Sequence, residues 1–286
     1  MEIRRAQHDD IPGIVAFTTD TFDWGDYIPD AIEEWIDDRD GVAMVAIENG
    51  EPVGLARTVL LTPTEAWAHG VRVHPDHRGK EIAGALAEAL IDWARSVGVQ
   101  VVRLLIEDDN DASVRHVEKV GFRRTVRIVR AVRSVGEATA NPKGNGVSHG
   151  PSTLKAKPAR TPDVPLVMAA WESSESGRAV RGLFGVGWRF RTLRPPDVRS
   201  AAERSHLWEI GSSWAITSSI EPSFQIAMFE TRPDEAYDAI RALIDTANHR
   251  GAESMSIWLA PLDWLIQAAR RAGCDIDPSS IWEYAL

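Results

Sequence analysis

Apolar positions recur along the first half of the chain with two periods, and the switches between them mark its elements. Ile82, Ala85, Leu86, Ala89, Leu90 and Trp93 repeat at helical spacing and predict an amphipathic helix that stops at Gly98. Upstream, "VAMVAIENGEPVGLARTVLL" holds two apolar, partly β-branched runs around Asn49-Gly50, which predicts a hairpin. "MEIRRA" and "AWAHGVRVHP" read as strands, the second ended by Pro75. "HDDIPGIVAFTTDTF" reads as a helix with Pro12 in its first turn. "DYIPDAIEEWIDD" reads as another, with Ile28, Ile32, Trp35 and Ile36 on one face. After Gly98, "VQVVRLLIE" suits a strand buried on both faces. "DASVRHVEKV" is a short helix closed by Gly121, and "FRRTVRIVRAV" a further strand. The order β-α-α-β-β-β-α-β-α-β predicts a mixed α/β (α+β) domain.

From Ser134 to Asp163 the composition shifts to Gly, Pro, Ser, Asn and Lys, as in a linker. Beyond it the tail repeats part of the head. "ALIDWARSVGVQVVRLLI" (89–106) aligns without gaps to "ALIDTANHRGAESMSIWL" (242–259), each reading helix, glycine, strand. A short helix ending in glycine follows each, at Gly121 and Gly273, and then a strand. The expected organisation is a first domain over 1–133, a linker over 134–163 and a diverged second copy over 164–286.

A net charge of −10 argues against nucleic acid or an anionic membrane as partner, because both demand basic surface. The one cysteine, Cys274, excludes an intramolecular disulfide framework. The opening lacks an apolar leader segment and no run is long enough to cross a bilayer, so a cytoplasmic protein is expected.

Candidate chemistry gathers at "HPDHRGKEIAGAL", His74–Leu86, where a strand gives way to an amphipathic helix. A helix start offers free N–H groups and a positive dipole end to an anion. Gly79 and Gly84 permit close approach, and Arg78 and Lys80 add charge. Glu81 places a negative charge beside the anion, so weaker affinity is expected. The equivalent stretch of the second copy is "TRPDEA", Thr231–Ala236. There Pro233 removes an N–H and Asp234 and Glu235 repel anions, so one cofactor site is expected, in the first half.

Over residues 1–130 the chain resembles the GNAT acyltransferases. Arg78-Gly79-Lys80-Glu81-Ile82-Ala83 matches the family's Arg/Gln-x-x-Gly-x-Gly/Ala motif at its first and last positions and departs at Glu81. Val71, Val73 and Pro75 match the strand that precedes it, and Asn110 with Gly121-Phe122 the pattern that follows. The resemblance implies a GNAT fold, acetyl-CoA as co-substrate and a small primary amine as acceptor. It places pantetheine along Val71 and Val73, phosphates at Arg78, Gly79, Lys80, Glu81, Ile82, Ala83 and Gly84, and further cofactor contacts at Asn110 and Ser113. "DYIPDAIEEW" further resembles the branch containing histidine N-acetyltransferase, which implies an amino-acid acceptor near Tyr27 and Trp35. The plainer alternative is that these two rings pack a helix against the sheet.

Amine acetylation needs a base for the ammonium and a proton for the departing thiolate. The family's usual tyrosine falls on Val117, which cannot donate. Where relatives often carry glutamate this chain has His69, and an imidazole can take the ammonium proton. Glu65 and Glu107 are the other candidate bases, while His116 is expected to face outward. His69, His74 and His77 lie close in sequence, but their spacing is unlike that of metal-ligand pairs. Two readings stay open: an N-acetyltransferase, or a catalytically silent acyl-CoA-binding or sensing protein.

Overall fold

Asn49 and Gly50 both adopt positive φ, 54° and 87°, and close the hairpin that the pair predicts. The computed structural model describes residues 1–23, 25–135, 152–219 and 222–286, and they fall into two compact units. The first comprises Met1–Thr125 and Trp282–Leu286, the second Val126–Ile281.

The first unit runs β1 (Glu2–Arg5), α1 (Ile11–Thr18), α2 (Ile28–Asp37), β2 (Gly41–Glu48), β3 (Glu51–Thr62), β4 (Glu65–Val73), α3 (Ile82–Ser96), β5 (Val101–Glu107) and α4 (Asp111–Val120). Its sheet has the order β1-β2-β3-β4-β5, antiparallel except for the β4–β5 pair. Strand alternation feeds two cores. Val42 and Ala46 of β2 join Leu86, Leu90 and Trp93 of α3, while Ala43 and Val45 join Ile28, Ile32 and Trp35 of α2. Trp282–Leu286 continues the sheet beyond β5, where the Leu286 N–H donates to the Gln100 carbonyl at 2.9 Å.

The second unit begins within β6 (Arg123–Ser134). There follow β7 (Ala156–Pro158), α5 (Val164–Ser173), α6 (Glu175–Ala179), β8 (Leu183–Val186), β9 (Arg189–Thr192), α7 (Pro195–Glu203), β10 (Leu207–Ile210), β11 (Ser213–Ser219) and β12 (Ser223–Glu230). Then come α8 (Ala236–His249), β13 (Ser254–Leu259), α9 (Asp263–Arg271) and β14 (Asp275–Ala285). Sheet order in this unit is β6-β13-β12-β11-β10-β7, with β8 and β9 as a separate hairpin. The repeat is visible in the elements: α3, β5 and α4 of the first unit correspond in order to α8, β13 and α9. In both units the first strand of the repeat pairs in parallel, β5 with β4 and β13 with β12.

These units are offset from the division expected at 133 and 164. Strand β6 pairs antiparallel with β13 from Val129 to Ser134, while the segment after Ile281 joins the first unit. Each sheet is thus finished by a strand from the other half of the sequence, which hydrophobic periodicity cannot reveal. Of the expected linker, 136–151 lie outside the described residues, and Ala156–Pro158 is a sheet strand rather than linker.

Candidate active site

Strands β4 and β5 pair only at Glu65↔Val101, Ala66↔Val102 and Trp67↔Arg103. Both then continue, β4 to Val73 and β5 to Glu107, so beyond Trp67 they diverge from a shared ladder. His69, Val71 and Val73 lie on this far half of β4, with Val71 exposed and the other two half-buried. Helix α3 starts close by because Gly54 of β3 leaves room for Ile82: a Cβ at position 54 would stand 2.7 Å from the Ile82 methyl. Ile82 is therefore a core residue, and only its backbone is available to a ligand.

Arg78, Gly79, Lys80 and Glu81 are exposed in the turn before α3, and Ala83 and Gly84 are half-buried in its first turn. A Cβ added at Gly79 or Gly84 would meet nothing within 4 Å, so both border open space. Glu81 is the N-cap of α3 and holds φ 61°, ψ 14°, a left-handed conformation that glycine adopts without cost. Its carboxylate accepts a hydrogen bond from Lys119 Nζ of α4. That bond and the lysine's charge hold the Glu81 carboxyl below its usual range, and the same bond and the carboxylate's charge push the Lys119 ammonium above its own.

Three other basic residues near the turn, Arg72, His77 and Lys80, are paired with carboxylates. His77 Nδ1 lies 2.6 Å from a Glu48 oxygen, and Lys80 Nζ 3.5 Å from the same atom. Arg72 grips Asp26 through Nε at 2.6 Å and Nη2 at 3.1 Å, fastening the segment before α2 to β4. Burial pushes the Asp26 carboxyl up, but hydrogen bonds from Arg72 and Thr21 outweigh it and the net shift is downward. The Arg72 guanidinium also lies over two exposed rings, Phe22 at 5.0 Å and Tyr27 at 5.6 Å.

His69 sits against the core. Its ring meets Trp35 edge-on at 5.0 Å, and Trp35 in turn meets Tyr27 at 5.9 Å. Beneath Trp35 lies the guanidinium of Arg57, 5.0 Å from the ring centroid and ion-paired to Asp38. Arg57 is also the cross-strand neighbour of His69. Of the two aromatic residues expected to meet the acceptor, Trp35 is 4% exposed and Tyr27 42%, so Trp35 supports and only Tyr27 reaches solvent.

The remaining sequence candidates separate. Glu65 is buried, and its Oε1 accepts from Arg103 Nη1 at 2.6 Å while Arg103 Nε reaches Glu283 at 2.7 Å. It stands at the start of β4, two pairs before the ladder ends, and is bound into a structural ion-pair triad rather than poised as a base. Glu107 is exposed at the end of β5. Asn110 spends its side-chain oxygen capping α4, accepting from the Ser113 N–H at 3.0 Å. Val117, which has no proton to donate, belongs to the core. His116 is half-buried rather than outward-facing, and burial followed by the Lys119 charge lowers its pKa. Periodicity carried no signal for Asp26, Arg57, Arg103 or Lys119, because each acts through a partner remote in sequence.

The corresponding place in the second unit is closed. The β12–β13 ladder ends at Ile226↔Ile257, and the next residue, Trp258, is packed by Phe190 at 4.9 Å and Trp188 at 5.3 Å. Its indole N–H donates to the Gly187 carbonyl at 2.8 Å. Before α8, the Glu235 carboxylate takes the Ser212 N–H at 3.0 Å and the hydroxyls of Ser212 and Ser213 at 2.8 and 3.1 Å.

A sequence profile of the Acetyltransferase (GNAT) family matches residues 11–122. The L-methionine sulfoximine/L-methionine sulfone acetyltransferase of Pseudomonas aeruginosa is 33% identical over 135 residues, 42% of this chain and 78% of that protein. The histidine N-acetyltransferase of Oreochromis niloticus is 28% identical over 106 residues, which is 36% of this chain and only 32% of that one. A crystal structure of a GCN5-related N-acetyltransferase from Sphaerobacter thermophilus superposes with TM-score 0.63 at 16% identity, covering 99% of this chain and 95% of the other, and so shares the fold throughout. With the diverging β4–β5 pair and the Arg78–Ala83 turn at the start of α3, these likenesses give one conclusion: the chain belongs to the GNAT acetyltransferase family.

Proposed function

We propose that the first unit transfers acetyl from acetyl-CoA to the primary amine of a small molecule, with the α-amine of an amino acid as the acceptor. The observation that carries this reading is the parting of β4 from β5 beyond Trp67, next to the N-terminus of α3. A strand edge released from its ladder can pair with the amides of an extended pantetheine arm, and the helix start can take phosphates. Open space at Gly79 and Gly84, with exposed Arg78 between strand and helix, fits that cofactor. Val71 and Val73 would hold the arm, and the backbone of Arg78–Gly84 the phosphates.

Acetyl-CoA supplies an acyl group already activated as a thioester. The protein's task is to hold the acceptor close and deprotonate it. His69, on the half of β4 beyond the ladder, takes the ammonium proton directly or through water. Thiolate release then draws its proton from water, since Val117 stands where the family's tyrosine would be. The amino-acid acceptor is supported by the two relatives whose names state amino-acid or amino-acid-analogue substrates. Tyr27, exposed beside Trp35, is the ring the acceptor would meet.

The test is CoA release from acetyl-CoA against a panel of amino acids, polyamines and aminoglycosides. Turnover with an α-amino acid is the expected result. Binding of acetyl-CoA without CoA release above background for any acceptor would leave the sensing alternative in its place.

A further inference from the structure

Glu81 is the residue at which the chain departs from the motif of its family, and by charge alone it should hinder an anionic cofactor. The structure gives it a specific partner instead. Lys119, on α4, donates to the Glu81 carboxylate at the N-cap of α3, although the two are 38 residues apart in sequence. Of the other basic side chains near the turn, Arg72 is drawn to Asp26 and both His77 and Lys80 to Glu48, while Arg78 lies exposed in the turn itself. A lysine on an exposed helix has a long flexible stem and ordinarily spends little time in one place. Here a carboxylate at the helix start fixes where the ammonium sits. Both side chains are exposed, 73% for Lys119 and 77% for Glu81, so a ligand at the turn can reach the pair from solvent. The flanking Gly79 and Gly84 leave the space beside it open.

We propose that Glu81 is a positioning residue that holds Lys119 in the phosphate cradle, and that Lys119 is a cofactor-binding residue the motif itself does not contain. The inference rests on the acetyl-CoA reading above. Its sign is opposite to that expected from the sequence: the carboxylate helps binding, because the ammonium it places there meets the phosphates at short range while its own charge is cancelled. Glutamine matches glutamate in size and branching, so Glu81→Gln tests the charge at this αL position without the conformational change that glycine would bring.

The experiment is titration calorimetry of acetyl-CoA with the full chain and three variants, Lys119→Gln, Glu81→Gln and the double variant, at two salt concentrations. Lys119→Gln is expected to weaken binding roughly 10-fold and to make it less salt-dependent. Glu81→Gln is expected to weaken it roughly threefold to 10-fold, and the double variant to be no worse than Lys119→Gln alone. Unchanged melting temperatures would exclude a general loss of structure. Tighter binding by Glu81→Gln, additive losses, or an unchanged Kd in Lys119→Gln would each overturn the proposal while leaving the functional reading intact. No binding by the unaltered chain would overturn that reading, and this inference with it.

Discussion

The indole of Trp35 and the imidazole of His69 meet edge to face, with ring centroids 5.0 Å apart and planes at 79°. Trp35 is fixed in turn by the core around α2 and by Arg57 beneath it, so His69 has a rigid wall on one side. A base held this way can be replaced without disturbing the cofactor turn. His69→Gln is expected to lower kcat/KM roughly 100-fold while acetyl-CoA binding stays nearly unchanged. Steady-state kinetics checks this; retention of turnover would make His69 a packing residue and turn attention to Glu107.

Gly70 links that wall to the strand. Its φ is +70°, and a Cβ there would stand 2.6 Å from the Trp35 ring. Gly70→Ala must therefore strain the backbone and push the indole at once, a cost of about 1–3 kcal/mol. The expected outcome is a lower melting temperature together with a kcat/KM reduced at least about 10-fold, because the displaced indole no longer fixes His69. Equal activity at lower stability would show that the wall does not matter to catalysis.

Acetyl-CoA should bind with a stoichiometry of about one per chain. In the second unit the place beyond the β12–β13 ladder is filled by Trp258, Phe190 and Trp188, and Glu235 occupies the donors of Ser212 and Ser213. Two equivalent sites by calorimetry would refute the reading of that unit as closed.

Glu230 of β12 is 6% exposed, and burial raises its pKa, with Glu235 adding to the effect and Arg232 opposing it. A carboxyl whose folded pKa exceeds its unfolded one binds protons more tightly in the fold. Stability therefore declines as pH rises from the ordinary value of 4.5 through the folded value. Glu230→Gln removes that dependence. Its melting temperature should match the unaltered protein near pH 4 and exceed it by about 2–4 °C at pH 7 to 8. A variant less stable at neutral pH would mean that the ionised carboxylate is stabilising.

The fold was largely legible in the sequence where it rests on local patterns. Asn49-Gly50 gave the hairpin, the Ile82–Trp93 spacing gave α3, and the 153-residue offset of "ALID" foretold the repeated helix, strand and helix. What stayed hidden depends on partners far apart in the chain. Arg72 meets Asp26 across 46 residues and Lys119 meets Glu81 across 38, and neither spacing belongs to any local motif. Glu65 looked like a base because only its residue type was visible. Its burial against Arg103 is a tertiary fact. The histidine-branch pattern named Tyr27 and Trp35 alike, and could not tell that one faces solvent and the other the core.

Glu283 reaches Arg103 across 180 residues of sequence, and Trp282 joins the core that α3 and α4 form with the sheet. A chain emerging from the ribosome N-terminus first must therefore make the whole of the second unit before the first can finish its sheet. Domains ordinarily fold in the order in which they are synthesised. Here the cofactor-binding unit is begun first and completed last, with the edge of β5 open in the interval, and an open edge invites wrong pairing.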